Sequence, residues 1–213
     1  MTTIKVHAKR KEVERILAAA GIGFEPEQLK VEIWQDGDME SPREWNNLTK
    51  MFCFHRNYNI GDNHSYDFAD FDGWDEFREQ LEEDYDIATI KPVYMYDHSG
   101  ITISTSPFSC GWDSGQVGWV FITKDDAEKE LKGGVMEAEG VLEAEFATYR
   151  DYVEGNAFGF TISNDDGLLD SCGGFLGNDE MVIKDMLDHV YIDGHSKERV
   201  KELFSEAWKD RYN

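Results

Sequence analysis

The hydrophobic positions follow two periods along the chain, one close to 3.6 residues and one of two. Val13, Ile16, Leu17 and Ala20 share one helical face over 9–20, and Gly21 supplies a stop. Over 74–85, Trp74, Phe77, Leu81 and Tyr85 form an inward stripe with acids around it. A short helix is predicted over 124–132, ending at Gly133-Gly134. A longer one follows over 137–153, with Ala138, Leu142, Phe146, Tyr149 and Val153 inward. Two more helices are predicted over 179–191 and 197–212, the last capped by Ser196 and packing through Val200, Leu203, Phe204, Ala207 and Trp208.

Strand patterns fill the intervals: 29–34, 51–55, 88–96, 100–105, 117–122, 157–163 and 168–172. Tyr96-Asp-His-Ser-Gly100 and Asn164-Asp-Asp-Gly167 read as hairpin turns. Strands that meet through turns, with helices inserted late, predict an α+β fold: a mainly antiparallel sheet flanked by about four to five helices. The aromatics Trp34, Trp45, Phe52, Phe54, Tyr94, Tyr96, Trp112, Trp119 and Phe121 are expected in the core. Arg43-Glu44-Trp45 and His55-Arg56-Asn57-Tyr58 lie beside turns. They are expected to form polar networks that hold loops, or an interaction surface.

Composition sharpens the picture through charge. The 213 residues carry 44 acids against 21 bases, a formal charge of −23. Three segments hold the imbalance. Residues 62–86 contain eleven acids and one base, 125–154 ten and three, and 165–193 eight and one. The first 61 residues balance nine against nine. On the helix over 74–85, Asp75, Glu76, Glu79, Glu82 and Glu83 are offset by Arg78 alone. Like charges at i, i+3 or i+4 repel by a few tenths of a kcal/mol per pair, so stability by itself does not select such a row. Glu137, Glu139 and Glu143 make the corresponding row on the helix over 137–153.

With 40% hydrophobic and 13% aromatic residues, the chain supports a folded core. No apolar stretch approaches the ~20 residues needed to span a bilayer. The opening Met1-Thr-Thr-Ile-Lys-Val has no signal-peptide pattern, so a cytoplasmic protein is expected. Cys53, Cys110 and Cys172 are too few and too far apart for a disulfide framework or a structural zinc site.

Several stretches have an unusual composition: Glu40-Ser-Pro-Arg-Glu-Trp-Asn-Asn-Leu48, MFCFHRNYNIGD over 51–62, YMYDHSGITISTSPFSCGWDSGQVGWVFIT over 94–123, and DSCGGFLG over 170–177. In these motifs the chain resembles a widespread family of phage and prophage proteins with no established activity. The resemblance covers about 29–177 and implies a mobile-element origin and expression in a bacterial host. It divides the chain into a basic N-terminal strand/helix element over 1–28, an α+β core over 29–177 and C-terminal helices over 178–213.

Two kinds of chemistry compete for this surface. His98, Cys110 and Asp113 have the residue types of a nucleophile, a base and an orienting acid, and would place a small enzyme or ligand-binding pocket there. The bland alternative is a tight turn with Gly111 and Gly115 as its pivots. His55, His64 and His98 with Asp62, Asp67 and Asp97 are metal-ligand types, but none has helical ligand spacing and the Asp-rich loop departs from a calcium loop. No metal or cofactor is therefore expected. There is no phosphate loop, and the charge excludes nucleic acid as a direct partner.

The reading that follows from charge and resemblance is a phage-encoded anti-defence inhibitor. Its acidic helix faces (Asp75, Glu76, Glu79, Glu82, Glu83, Glu137, Glu139, Glu143) would occupy the basic groove of a host defence or DNA-binding protein. A duplex carries one charge per ~1.7 Å, so −23 corresponds to roughly a dozen base pairs. An adaptor that binds a host protein through aromatic loops is a third reading. Self-association into a homo-oligomer is left open.

Overall fold

The computed structural model describes residues 29–178, 180–190 and 197–211, without the side chain of Glu180. The expected helix over 9–20, the basic 1–28 element and the Ser196 cap lie outside them. The fold is α+β, with seven strands in two antiparallel sheets and five helices among the described residues. The strands are β1 (Lys30–Gln35), β2 (Lys50–Cys53), β3 (Ile87–Asp97), β4 (Ile101–Ser104), β5 (Ser114–Thr123), β6 (Ala157–Asn164) and β7 (Gly167–Leu176). The helices are α1 (Trp74–Asp84), α2 (Lys124–Glu130), α3 (Val135–Val153), α4 (Glu180–His189) and α5 (Lys197–Asp210). No described helix is long and apolar enough to cross a membrane.

The chain separates into two units whose borders differ from the division that the resemblance implied. One unit contains 37–157 and 176–178. The other joins β1 and residues 158–175 to the C-terminal helices. Sequence patterning finds the elements, but strand partnership decides the units. β1 pairs with β6, about 130 residues away, and not with β2, its neighbour in sequence.

In the smaller sheet the order is β1-β6-β7. Phe158, Phe160 and Ile162 alternate to one face and meet Val182, Ile183 and Met186 of α4 and Val200, Phe204 and Trp208 of α5. The other face carries Trp34, whose indole lies over Gly159. A Cβ on that glycine would sit 2.3 Å from the ring, so only glycine fits beneath it. The indole Nε1 donates to Thr161 Oγ1 at 3.1 Å.

The larger sheet has the order β2-β5-β3-β4. Its two faces are chemically unlike. Met51, Val93, Met95, Ile103, Val120 and Ile122 point to one face, where Ala138, Leu142, Phe146 and Tyr149 of α3 and Ala127 of α2 cover them. Phe52, Trp119 and Phe121 point to the opposite face and receive Phe77 and Leu81 of α1. The register confirms the alternation: Met51 faces Val120 and Phe52 faces Trp119 across the strand pair. The pairing of β3 with β5 skips Val117, a bulge that keeps Val117 in the α3-side core.

A buried polar network joins the 41–49 segment to this core. Ser41 Oγ accepts from Arg43 N, and Asn47 Nδ2 donates to Pro42 O, which shapes a short turn that aims Arg43 inward. The Arg43 side chain is 5% exposed. Its guanidinium grips Asp62 with two bonds, Nε to Oδ1 at 2.8 Å and Nη2 to Oδ2 at 2.7 Å. It also donates to Thr49 Oγ1 and to the Thr49 carbonyl. Glu145 of α3 accepts from Leu48 N, Thr49 N and the Thr49 hydroxyl. Asp62 further accepts from Met51 N, and Tyr149 Oη accepts from Gly61 N.

Helix α2 begins with a reciprocal cap. Thr123 Oγ1 accepts from Asp126 N and donates to Asp126 Oδ2, and Lys50 Nζ lies 2.6 Å from the same carboxylate. The Lys50 and Thr123 bonds, in that order, hold the Asp126 carboxyl below its ordinary value.

Two predictions follow from these contacts. Removing one member of the Arg43–Asp62 pair strands the other in the interior. Arg43→Met and Asp62→Asn are each expected to cost about 3–5 kcal/mol in urea unfolding, and the double variant far less than their sum. Additive losses would show that the pair is not coupled. A carboxyl with a depressed folded-state pKa stabilises the fold above its unfolded value of 3.8 and loses that contribution as pH falls. Asp126→Asn should therefore flatten the fall in stability below about pH 4 and lower stability at neutral pH; an unchanged acid limb would contradict the assignment.

Candidate functional site

The acidic residues expected to act together divide between the two faces of the larger sheet. On α1, Asp75, Glu76, Glu79, Glu82 and Glu83 all point to solvent, because Phe77 and Leu81 take the sheet side. Glu82 pairs with Arg78 at 2.8 Å, and Glu76 accepts from Asp72 N. Asp67, Asp70 and Asp72 are exposed on the preceding segment, so its charge adds to that of α1. Asp84 accepts from the Tyr66 hydroxyl at 2.6 Å. Burial first, and the Asp84 bond next, push that hydroxyl well above its ordinary value, so Tyr66 stays a neutral donor.

Helix α3 covers the opposite face, so its row and the α1 row do not form one surface. Its acids are also more occupied. Glu139 and Glu143 both bind Lys91, which rises from the α3 side of β3. The hydrogen bonds that Lys91 donates to Glu139 and Glu143 raise its ammonium above its ordinary value, and the Lys91 bond lowers Glu139. Glu145 is spent on the 48–49 backbone, Glu154 accepts from the Thr102 hydroxyl, and Glu137 folds over Gly133. Of the two rows, α1 carries the larger excess: six acids against Arg78, compared with Glu137, Glu139 and Glu143 against Lys91.

Of the residues proposed for catalysis, His98 and Asp113 come together, with Nδ1 and Oδ2 3.3 Å apart at an exposed position. Cys110 contributes its carbonyl, which accepts from Ser114 Oγ and closes the turn. Among the described residues its sulfur makes no hydrogen bond to His98. The histidines and aspartates with metal-ligand chemistry are dispersed. Asp62 belongs to Arg43, and His64 sits among Phe52, Phe54 and Tyr66 with Nε2 3.0 Å from the Cys53 carbonyl. No group of three or more His, Cys, Asp or Glu suited to a metal ion occurs among the described residues.

Three of the aromatics expected in the core are not there. Trp34 and Trp45 are partly exposed at the surface, and Trp112 is 97% exposed. Trp112 lies in the 105–113 segment between β4 and β5, beyond the end of strand alternation, so no pleat directs it inward. Sequence reasoning grouped it with Trp119 by composition. The distinguishing signal was Cys110-Gly-Trp-Asp-Ser-Gly115 around it, a run of turn residues that leaves no partner strand. Tyr58 and His55 stack at 5.1 Å beside the same end of the sheet, where Tyr58 Oη donates to Asp97 Oδ1.

No protein-family model, curated protein or solved structure matches the chain. The site therefore stands on its geometry.

The thiols make a simple check of this layout. Burial pushes the Cys53 thiol far up, and Asp62 raises it further, so it has almost no thiolate at neutral pH. A thiol reagent is expected to label Cys110 ahead of Cys53, which is partly buried against the α3-side core. Equal native-state labelling, read by peptide mass spectrometry, would contradict the raised Cys53 thiol.

Proposed function

We propose that the protein is a non-catalytic inhibitor that presents the acidic face of α1 to a cationic groove, in the manner of a duplex backbone. The observation that carries this reading is the concentration of exposed carboxylates on one side of one sheet. The eleven residues of α1 span roughly 16 Å. They hold six acids (Asp75, Glu76, Glu79, Glu82, Glu83, Asp84) and one base, with Asp67, Asp70 and Asp72 leading into them. A duplex of the same length presents about ten charges. The α1 layer comes within a factor of two of that density and is held rigidly by Phe77 and Leu81.

The α3 acids drop out of this reading, since they face the other way and Lys91 offsets one of the two charges of Glu139 and Glu143. The motif resemblance to phage and prophage proteins points to a target in the cytoplasm of a bacterial host, such as a defence nuclease or another DNA-binding protein. Association with such a target is expected to be fast and salt-sensitive, because a one-signed field steers encounter.

The test is competition against duplex DNA for a panel of host nucleases and DNA-binding proteins across a salt series. The Glu79→Lys, Glu82→Lys, Glu83→Lys triple variant should lose at least about tenfold in affinity, while Glu139→Gln with Glu143→Gln stays within about twofold. A partner bound equally well by the α1 triple variant would sink the proposal.

A further inference from the structure

Three loops meet at the end of the larger sheet where β3 turns into β4 and β5 begins. The segment after β2 brings His55, Arg56 and Tyr58; the β3–β4 turn brings Asp97 and His98; the 105–113 segment brings Phe108, Trp112 and Asp113. The loops are fixed to one another. Asp97 N donates to Asp113 O at 2.8 Å, His98 N donates to Gly100 O, and Tyr96 packs on Phe108 with ring centres 5.7 Å apart. Ser99 holds the turn with a φ of 59°, a left-handed conformation unusual for serine.

This anchored end exposes two kinds of group that have no protein partner among the described residues. The Trp112 indole is almost wholly in water and touches no other ring. Asp97 and Asp113 each commit one carboxylate oxygen, to Tyr58 and to His98 respectively. Their other oxygens, Asp97 Oδ2 and Asp113 Oδ1, have no hydrogen bond among the described residues. Arg56 is the one full cation here and pairs with neither.

We propose that this end binds an arginine side chain of a partner protein. A guanidinium matches the features together: its flat face stacks on an indole, and its edge donates to carboxylates. A neutral apolar side chain would satisfy Trp112 and leave both aspartates bare. An anionic one would be repelled. A lysine would meet the charge but not the plane. The site uses none of the α1 carboxylates and does not depend on the reading of that helix.

The experiment is a titration of the full chain, nitrogen-15 labelled, with a blocked Gly-Arg-Gly peptide and with its citrulline counterpart. The Trp112 indole N–H signal is assigned by loss in Trp112→Phe. It is expected to shift and saturate with the arginine peptide at a Kd on the order of a millimolar, and at least about fivefold more weakly with citrulline. Asp97→Asn with Asp113→Asn should abolish the response. Should that double variant fail to fold, Trp112→Ala, a change at an exposed side chain, tests the same point through the Asp97 amide signal, whose shift should be lost. The Glu79→Lys, Glu82→Lys, Glu83→Lys variant should keep the full response, which separates this proposal from the α1 reading. Three results overturn it: no movement of Trp112, equal response to citrulline, or similar shifts at all six indoles of the chain, which would mark diffuse attraction to its charge.

Discussion

The fork between Arg43 and Asp62 is the constraint from which the larger unit is built. A guanidinium that is 5% exposed cannot be left unpaired, because an uncompensated buried charge costs several kcal/mol. Its four donated bonds fix three things together: the carboxylate of Asp62, the hydroxyl of Thr49 and the Thr49 carbonyl. Through Asp62 the fork reaches Met51 N, at the sheet, and through Thr49 it reaches Glu145, on α3. A loop, a strand and a helix that are far apart in sequence are thereby locked by hydrogen bonds with fixed directions. Apolar packing alone would permit α3 to slide along the sheet. The fork and Glu145 do not.

That lock explains what the unusual motifs are for. Ser41-Pro42-Arg43 and Asn59-Ile60-Gly61-Asp62 are the two jaws of the network, and Gly61 is needed where they close. Gly61 has a φ of 80°, and a Cβ there would fall 2.5 Å from Met51 O. These stretches are distinctive because they make a buried polar joint, which tolerates fewer side chains than an apolar core does. Their chemistry is structural. The residues left for recognition lie outside the joint, on α1 and on the loops at the end of β3 and β5, where the scaffold holds them but does not use them.

Most element boundaries were readable from the sequence, because the hydrophobic periods of α1, α3 and several strands are regular, although β5 begins three residues before its expected start and β7 ends four residues beyond its expected end. Trp74–Asp84 and Ala157–Asn164 fall within a residue or so of their expected limits. Pairing was not readable. Nothing in the alternation of β1 says that its partner is β6, so the division into two units escaped a reading made along the chain. The acidic rows were visible as rows, but their direction depends on which sheet face each helix covers. Phe77 and Ala138 look alike as inward positions, yet they meet opposite sides of the same strands. Likewise, composition does not reveal that Lys91, a lone base in an apolar strand, would bind both Glu139 and Glu143.

The two faces of the sheet also explain why the acidity takes two forms. On the α3 side, several carboxylates sit where a strand lysine, a hydroxyl and backbone amides await them, so they contribute order to the fold. On the α1 side, the sheet offers aromatic surface: Phe52, Trp119 and Phe121 beneath, with Phe54, Tyr66 and Phe71 beside them. Arg78 lies over the Trp119 ring and beside Glu82, so the single base on α1 offsets one of its six carboxylates. An aromatic floor can anchor a helix without asking anything of its polar side. The carboxylates of α1 are then free to repel one another in water, a cost that the packing of Phe77 and Leu81 outweighs. Excess charge persists where the core is strong enough to carry it and where no local partner cancels it. Among the acidic helices described, α1 meets both conditions to the greater degree, with six acids against one base, which is why a cationic partner is proposed for that face.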